Sequence, residues 1–162
     1  MVVRTLGRVA NVATNDRVDF AELVEFLRTR HQAIVVTQRS DGGSQTSPVT
    51  LGIDAQGRLL VSTYPERAKV ANIRRHPRIA MCVLSERFDD AWVHVEGEAE
   101  VLDLPEALDP LCEYFRSISG EHSDWDEYKE AMARQGKCLV RLTVDHWGPV
   151  ATGGFPARLV AD

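Results

Sequence analysis

The sequence predicts a mainly β fold, a barrel of short strands flanked by a few helices. Three observations support this prediction: six segments have strand composition or alternation, Gly-containing turns separate the first of them, and four segments have helical patterns. The length of 162 residues fits one domain with a substantial core, and no repeat or linker divides the chain. Because an open sheet leaves edge strands unpaired, we expect these edges to be covered, and a homodimer would cover them.

The helices are predicted from apolar spacing and from capping signals. Apolar side chains at i, i+3, i+4 and i+7 predict an amphipathic helix over residues 19–30. A basic helix follows Pro65 and ends at Pro77, which cannot continue it. Leucine and aromatic spacing marks a helix over 104–115, and S-D-W-D predicts a capping box at the start of a helix over 123–132.

Strands are predicted over residues 33–37, 45–53, 58–63, 79–84, 92–101 and 138–144. The D-G-G-S and D-A-Q-G segments supply turns between the first three strands, which we therefore expect to form an antiparallel meander. The fourth strand is continuously apolar, which indicates burial. The fifth alternates apolar and polar residues, so one of its faces should be wet.

Charge and cysteine content limit the classes of function. A net charge of −5 argues against a broad nucleic-acid surface, and no segment approaches the roughly 20 apolar residues of a membrane span. Cys82, Cys112 and Cys138 are odd in number and have no spacing typical of metal ligands. The start of the chain lacks the apolar segment of a secretion signal. We expect a cytoplasmic protein with no metal, membrane or nucleic-acid partner.

The basic helix is the feature that most directly indicates a ligand. Arg67 and Lys69 are predicted in its first turn, where positive charge opposes the helix dipole and where free backbone N–H groups can bind an anion. Asn72 lies one turn further on the same side. Ser62 and Thr63 end the preceding strand and could add hydroxyl hydrogen bonds. The alternative is an ordinary solvated helix face and two ordinary strand residues.

Two further segments could face a flat ring. Pro48 lies inside a predicted strand, which confines it to an edge, and an edge can contact a heterocycle or simply be protected against aggregation. Trp92 and His94 share one face of a later strand, although lone residues of these types are more often structural. No nucleophile, zinc-protease, P-loop or dinucleotide motif is present. Difficult chemistry would therefore fall to a cofactor.

The order V-S-T, then R-A-K-x-x-N-I-R-R-x-P-R over residues 67–78, then Glu96-Gly97, resembles the split β-barrel family of pyridoxamine 5′-phosphate oxidase-like flavin and deazaflavin proteins. The segment G-E-H-S-D-W-D-E-Y over 120–128 is similar to the actinobacterial branch that uses coenzyme F420. The resemblance covers about residues 19–150. It leaves 1–18 as an N-terminal arm, mobile or draped over a partner, and 151–162 as a tail.

The resemblance implies a homodimeric split barrel, similar to FMN-binding barrels, with two cofactor sites at the subunit interface. It implies that the F420 phosphate is held by Arg67, Lys69 and Asn72, with Ser62 and Thr63 beside it. The deazaflavin ring would be lined by Gln45, Ser47, Pro48 and Val49. Trp92 and His94 would arrive from the other subunit.

The implied activity is that of an F420H2-dependent oxidoreductase, which passes hydride from the reduced deazaflavin to a conjugated small-molecule acceptor. FMN is the alternative cofactor, and the choice of F420 depends on the 120–125 segment and on Arg74 and Arg75, which could meet its acidic tail. A non-catalytic flavin, deazaflavin or tetrapyrrole carrier is the alternative of another class. Pro48 departs from the pattern because it offers no N–H, and no catalytic acid stands out; solvent, His94 or a tyrosine could supply the proton.

Overall fold

The computed structural model describes residues 11–159, which form nine strands, four α-helices and a short 3-10 helix near the end. The predicted mainly β fold with flanking helices is confirmed. In chain order the elements are β1 (Thr14–Asp16), α1 (Phe20–Arg28), β2 (Gln32–Gln38), β3 (Ser44–Thr50), β4 (Gly52–Ile53), β5 (Leu59–Thr63), α2 (Ala68–Arg75), β6 (Arg78–Leu84), β7 (Trp92–Leu102), α3 (Leu108–Ser119), α4 (Trp125–Arg134), β8 (Cys138–Trp147) and β9 (Val150–Thr152).

The strands form one curled antiparallel sheet in the order β3-β2-β6-β7-β8-β5-β4. β9 pairs with β7 and also with β1. β3 is an edge strand that pairs with β2, and it also approaches β5 to within 8 Å between Cα atoms without pairing with it. The sheet therefore curls until its first strand faces a strand near its far edge, which is the shape of a half-open barrel.

Two apolar clusters hold this arrangement. The inward residues of β2, β5, β6, β7 and β8 fill the barrel with α1, and the alternation of buried and half-buried residues along β2 and β6 follows the period of a strand. A second cluster joins α3 and α4 to the outer side of β5 and β8 through Leu60, Leu111 and Leu139. The helix pair thus covers one part of the outside of the barrel.

The prediction of one strand over residues 45–53 is wrong. The chain leaves β2 after Thr50, and β4 pairs with β5 instead. Leu51 is buried between the two strands, and its N–H donates to His31 O at 2.9 Å. At Gly52 an added Cβ would lie 2.6 Å from Ser117 Oγ, so the close approach of α3 to this corner requires glycine.

Three helix starts differ from the prediction. α2 begins at Ala68, and Arg67 is its N-cap residue rather than part of the first turn. α4 is capped by Asp124, which accepts from the Glu127 N–H at 3.0 Å, so Ser123 is not the cap. The third helix begins only at Leu108, after Pro105 has interrupted the predicted pattern.

β1 and β9 were not predicted. Each has only three residues, and they pair across 138 positions of sequence, from Thr14 to Thr152. The remainder of the proposed arm, residues 1–10, lies outside the described residues. Within residues 11–159 no helix has the length and apolar character needed to cross a membrane.

Candidate functional site

The start of α2 lies close to the point where β5 ends beside the beginning of β8. Thr63 is the last residue of β5 and pairs with Cys138, the first of β8. Tyr64 follows, and the chain reaches Arg67 in extended conformation before the helix begins. No side chain among the described residues caps this helix start, and arginine cannot do so because a guanidinium only donates hydrogen bonds. The first N–H groups of α2 are therefore left for a ligand or water.

Two cations, Arg67 and Lys137, lie over the Tyr64 ring, and a third, Lys69, interacts electrostatically with Arg67. We call Arg67, Lys69 and Lys137 the α2 cation cluster. Lys137 Nζ lies 3.9 Å from the centroid of the Tyr64 ring, and Arg67 Cζ lies 5.9 Å from it. Among residues 11–159, no carboxylate forms an ion pair with any of the three. The cluster is positive charge without a counter-ion from the described chain.

The surroundings of Lys69 disfavour its positive charge. Burial, followed by the positive charge of Arg67, lowers the pKa of the half-buried Lys69 ammonium. Burial also raises the pKa of the neighbouring Cys138 thiol to about 11, so this thiol is neutral and supplies no negative charge. An anion at this position would relieve both effects on Lys69.

The predicted residues of β3 lie on two faces of the strand. Gln45, Ser47 and Val49 are half-buried on the inner side, opposite the buried Thr37 and the rest of the inner row of β2. Pro48 is exposed on the outer side. Because β3 pairs with β2 at the edge of the sheet, the prediction that the proline marks an edge strand is confirmed.

Asn72 is only 4% exposed and lies between α2 and the inner side of the barrel. Its Nδ2 donates to Gln45 Oε1 at 2.8 Å and to Thr37 Oγ1 at 3.0 Å, and its Oδ1 accepts from Arg75 Nη2 at 2.5 Å. The structure therefore joins two of the predicted residues, Asn72 and Gln45, directly. Both N–H groups of the Asn72 amide and its oxygen thus have partners within the protein.

Ser62 and Thr63 do not act as a pair. Leu59 and Val61 of β5 belong to the core of the barrel, whereas Leu60 belongs to the outer cluster with α3 and α4. Since side chains alternate along a strand, Thr63 points inward and the half-buried Ser62 points outward. Only one of the two hydroxyl groups faces the inner side of the barrel.

Trp92 and His94 lie on the outer face of the sheet, away from the α2 cation cluster. Trp92 on β7 pairs with Leu84 on β6, which in turn pairs with Gln32 on β2. Gln32 is five residues from Thr37, so this row of the sheet lies about 16 Å along the strands from the row of Thr37. His94 Nε2 lies 2.9 Å from Glu96 Oε1, and Arg78 bonds both Glu96 and Asp145. One chain therefore does not bring Trp92 and His94 to the start of α2.

The same outer face is apolar. Ile34, Cys82 and Leu84 are half-exposed beside Trp92, which is 38% exposed. A hollow of about 330 Å³ lies at its margin, between β2 and β3. Its lining includes His31, whose Nδ1 lies 2.9 Å from Leu51 O. Because a carbonyl oxygen only accepts, Nδ1 carries a proton.

The segment that suggested F420 is bonded within the chain. Glu121 accepts from Arg116 Nε at 2.5 Å and from Trp125 Nε1 at 3.1 Å, and His122 Nδ1 accepts from the Asp124 N–H at 3.0 Å. We call residues 116–128 the α3–α4 turn. The two arginines proposed for the acidic tail are also engaged. Arg74 Nη2 donates to both carboxylate oxygens of Asp103, at 2.8 and 2.9 Å, and Arg75 donates to Asn72.

Sequence reasoning missed Tyr64 and Lys137. Both become visible once β5 is known to pair with β8, because Lys137 directly precedes β8 and Tyr64 directly follows β5. No local pattern reveals that pairing, which joins residues more than 70 positions apart. Among residues 11–159, no three His, Cys, Asp or Glu side chains are placed to hold a metal ion.

Comparison with solved structures shows the same fold. A conserved hypothetical protein of Mycobacterium tuberculosis, Rv2991, is 22% identical with a TM-score of 0.67, and the match covers 83% of this chain and 88% of that one. An F420 reductase is 20% identical with a TM-score of 0.56, covering 76% and 94%. A heme binding protein from Mycobacterium smegmatis is 18% identical with a TM-score of 0.63, covering 86% and 56%.

The match to a protein family extends over nearly the whole barrel. The family described as pyridoxamine 5′-phosphate oxidase matches residues 20–151, from the first residue of α1 to the middle of β9. That range contains the start of α2, the edge strand β3 and the α3–α4 turn. Together with the half-open barrel, this match shows that the chain belongs to the pyridoxamine 5′-phosphate oxidase-like family of split barrels.

Proposed function

We propose that this protein is a reductase that uses coenzyme F420H2 to reduce a conjugated small molecule. The observation that carries the proposal is the α2 cation cluster: three cations without a carboxylate partner in the described chain, at an uncapped helix start. A phosphate group fits this arrangement because it accepts hydrogen bonds from ammonium, guanidinium and backbone N–H groups at once. Phosphate is common to F420 and FMN.

The three cations of the cluster should contribute unequally to phosphate binding. Lys69 is half-buried and its pKa is lowered by burial and by Arg67, so it gains most from an anion. Arg67 is exposed and can donate two parallel bonds to phosphate oxygens. Lys137 approaches from β8 and is partly engaged with the Tyr64 ring, so its contribution to phosphate binding should be smaller.

The rest of the proposed site extends from α2 along the inner face of β3. Gln45, Ser47 and Val49 lie on that face, and Thr63 points inward from β5. Pro48 can contribute only through its carbonyl oxygen or its ring. When bound, a reduced deazaflavin supplies the hydride. The protein supplies position and exclusion of water, which can account for about 7–11 kcal/mol of a barrier in well-oriented systems.

We further propose that two copies of the chain complete the site. Trp92 and His94 lie on the apolar outer face, about 16 Å and about 10 Å along the sheet from the row that meets α2, so we expect them to reach a cofactor from a second copy. The half-exposed Ile34, Cys82 and Leu84 would be buried in such a homodimer. A proton on His94 Nε2 is held by Glu96 at 2.9 Å and could be delivered from there.

FMN is the second candidate cofactor, and one observation favours it. The features that would separate F420 from FMN are the α3–α4 turn and two arginines of α2, and these groups already bond within the chain. What the open cluster selects is a phosphate, which both cofactors carry.

Titration of the purified protein with F420 and with FMN tests the proposal. Because a solved F420 reductase has the same fold, we expect F420 to bind more tightly than FMN and F420H2 absorbance to fall when a quinone or enone acceptor is added. Tighter binding of FMN would replace the cofactor while keeping the site. Tight binding of either cofactor without turnover on a broad acceptor panel would indicate a carrier, and absence of binding to both would refute the proposal.

A further inference from the structure

A chain of hydrogen bonds leads from the last turn of α2 to the inner face of β3. Arg75 Nη2 donates to Asn72 Oδ1 at 2.5 Å, and Asn72 Nδ2 donates to Gln45 Oε1 at 2.8 Å. A side branch from the same Nδ2 reaches Thr37 Oγ1 at 3.0 Å. Asn72 is 4% exposed, so water does not compete for these bonds.

The direction of each amide follows from the chemistry of Arg75. A guanidinium has only donors, so the Asn72 atom that faces it must be the carbonyl oxygen. The Asn72 NH2 group then faces Gln45, and the Gln45 atom that meets it must be an acceptor. Gln45 Oε1 is therefore occupied, and only the NH2 group of Gln45 remains for another partner.

That remaining donor is open and lies close to the α2 cation cluster. Gln45 Nε2 has no hydrogen-bond partner among residues 11–159, and no buried side-chain nitrogen or oxygen in this range is unpaired, so Nε2 keeps access to solvent. Its anchor, Asn72, is three residues from Lys69, about 5 Å along the helix axis. A ligand with its phosphate at Lys69 would place its next atoms within reach of Gln45.

We propose that Gln45 selects for an oxygen acceptor on the part of the cofactor next to its phosphate, and that Asn72 and Arg75 are positioning residues that hold the Gln45 amide in the donating orientation. This inference rests on the proposed function. A ligand with an N–H donor at that point would face the Gln45 donor without an acceptor, and the site would reject it.

A double-mutant cycle tests the positioning. Gln45→Met removes the donor with little change of volume or charge, and Asn72→Leu releases the Gln45 amide without adding charge. Each should weaken F420 binding about fivefold, the loss of one hydrogen bond. Because both act through the same donor, the double variant should bind no more weakly than Gln45→Met alone. Dissociation constants from F420 fluorescence provide the readout.

Thr37→Val is the matched control. It breaks the other bond of the Asn72 amide, in the same buried environment, but leaves Gln45 anchored. We expect F420 affinity to stay within twofold of wild type, even though thermal stability falls. Binding of inorganic phosphate, measured by calorimetry, should be unchanged in Gln45→Met and Asn72→Leu, because the α2 cation cluster is intact in both.

If Asn72→Leu does not fold, Arg75→Met serves in its place. Arg75 is exposed, so its replacement is tolerated, and its small effect on F420 affinity should disappear in the Gln45→Met background. Additive losses in either cycle, or an equal loss of phosphate and F420 binding in Asn72→Leu, would overturn the inference alone. A wild-type protein that binds neither F420 nor FMN would overturn the proposed function and this inference with it.

Discussion

The start of α2 and the α3–α4 turn are both rich in charged and aromatic residues, yet the chain treats them in opposite ways. In the α3–α4 turn, Glu121 is bonded to Arg116 and to Trp125, and Asp124 caps α4. At the start of α2, neither Arg67 nor Lys69 has a carboxylate partner among the described residues. These charged groups of the α3–α4 turn find their partners within the turn, whereas the two cations at the start of α2 have no carboxylate partner among the described residues.

Composition alone does not identify a binding site. Both segments stand out in the sequence, and both lie within the range that the family matches. What separates them is whether the chain supplies the partner of each polar group. Aromatic contacts of 5.1–5.9 Å link Phe115, Trp125 and Tyr128, so the turn is explained by its own packing. The three cations of the α2 cation cluster have no carboxylate partner among the described residues.

Lys69→Ala should produce the largest effect on binding. Loss of a charge-assisted bond to phosphate should weaken F420 affinity by about 1.5–3 kcal/mol. Lys129→Ala is the matched control, since Lys129 on α4 is already paired with Asp109 at 2.6 Å. Fluorescence titration should show a loss in the first variant and none in the second. Equal affinity of both variants would remove Lys69 from the site.

Trp125→Ala should show the reverse behaviour. Its indole packs against Phe115 and Tyr128 and donates to Glu121, so truncation should lower the free energy of unfolding by about 2 kcal/mol. F420 affinity of the folded fraction should be unchanged. Denaturant unfolding and titration on the same preparation measure both quantities. A tenfold loss of F420 affinity without loss of stability would assign the α3–α4 turn to the cofactor site.

Lys137→Ala should have an intermediate effect on binding. Its ammonium lies over Tyr64 at 3.9 Å and contributes to the field of the cluster more than to a direct bond. We expect F420 affinity to fall about threefold at low salt. The difference from wild type should shrink as ionic strength rises, because salt screens the attraction between charges that are not in direct contact. A loss that persists at high salt would indicate a direct contact instead.

The smallest effect concerns pH. The pKa of Lys69 is lowered in the folded, ligand-free protein by burial and by Arg67. Between that lowered pKa and the ordinary value of 10.5, the unfolded chain binds more protons, so stability gains from this group as pH rises. The stability of wild type relative to Lys69→Met should therefore increase from pH 7 towards pH 10. A constant difference would show that Lys69 is not strained by its surroundings.

Much of the fold could be predicted because its signals are local. Alternation and β-branched composition identified six strands, and Pro48 identified an edge. The break between β3 and β4 could not be predicted, since it depends on α3 packing against Gly52. The short β1 and β9 depend on each other across most of the chain, and three residues carry no periodic signal.

The features of the candidate site were predictable in part for the same reason. Arg67 and Lys69 stand at a helix start that is visible in the sequence. Lys137 reaches the cluster through the β5–β8 pairing, and Asn72 meets Gln45 because α2 crosses the end of β2 and β3. Both facts are tertiary. Arginine and lysine counts cannot reveal which cations the fold neutralises, as it does for Arg74.

The central claim is that the α2 cation cluster binds the phosphate of a cofactor. A crystal structure of the protein with F420 tests it most directly. We expect phosphate oxygens at about 3 Å, hydrogen-bond distance, from Lys69 Nζ and from the Arg67 guanidinium. A phosphate bound elsewhere, with both side chains in bulk solvent, would contradict it.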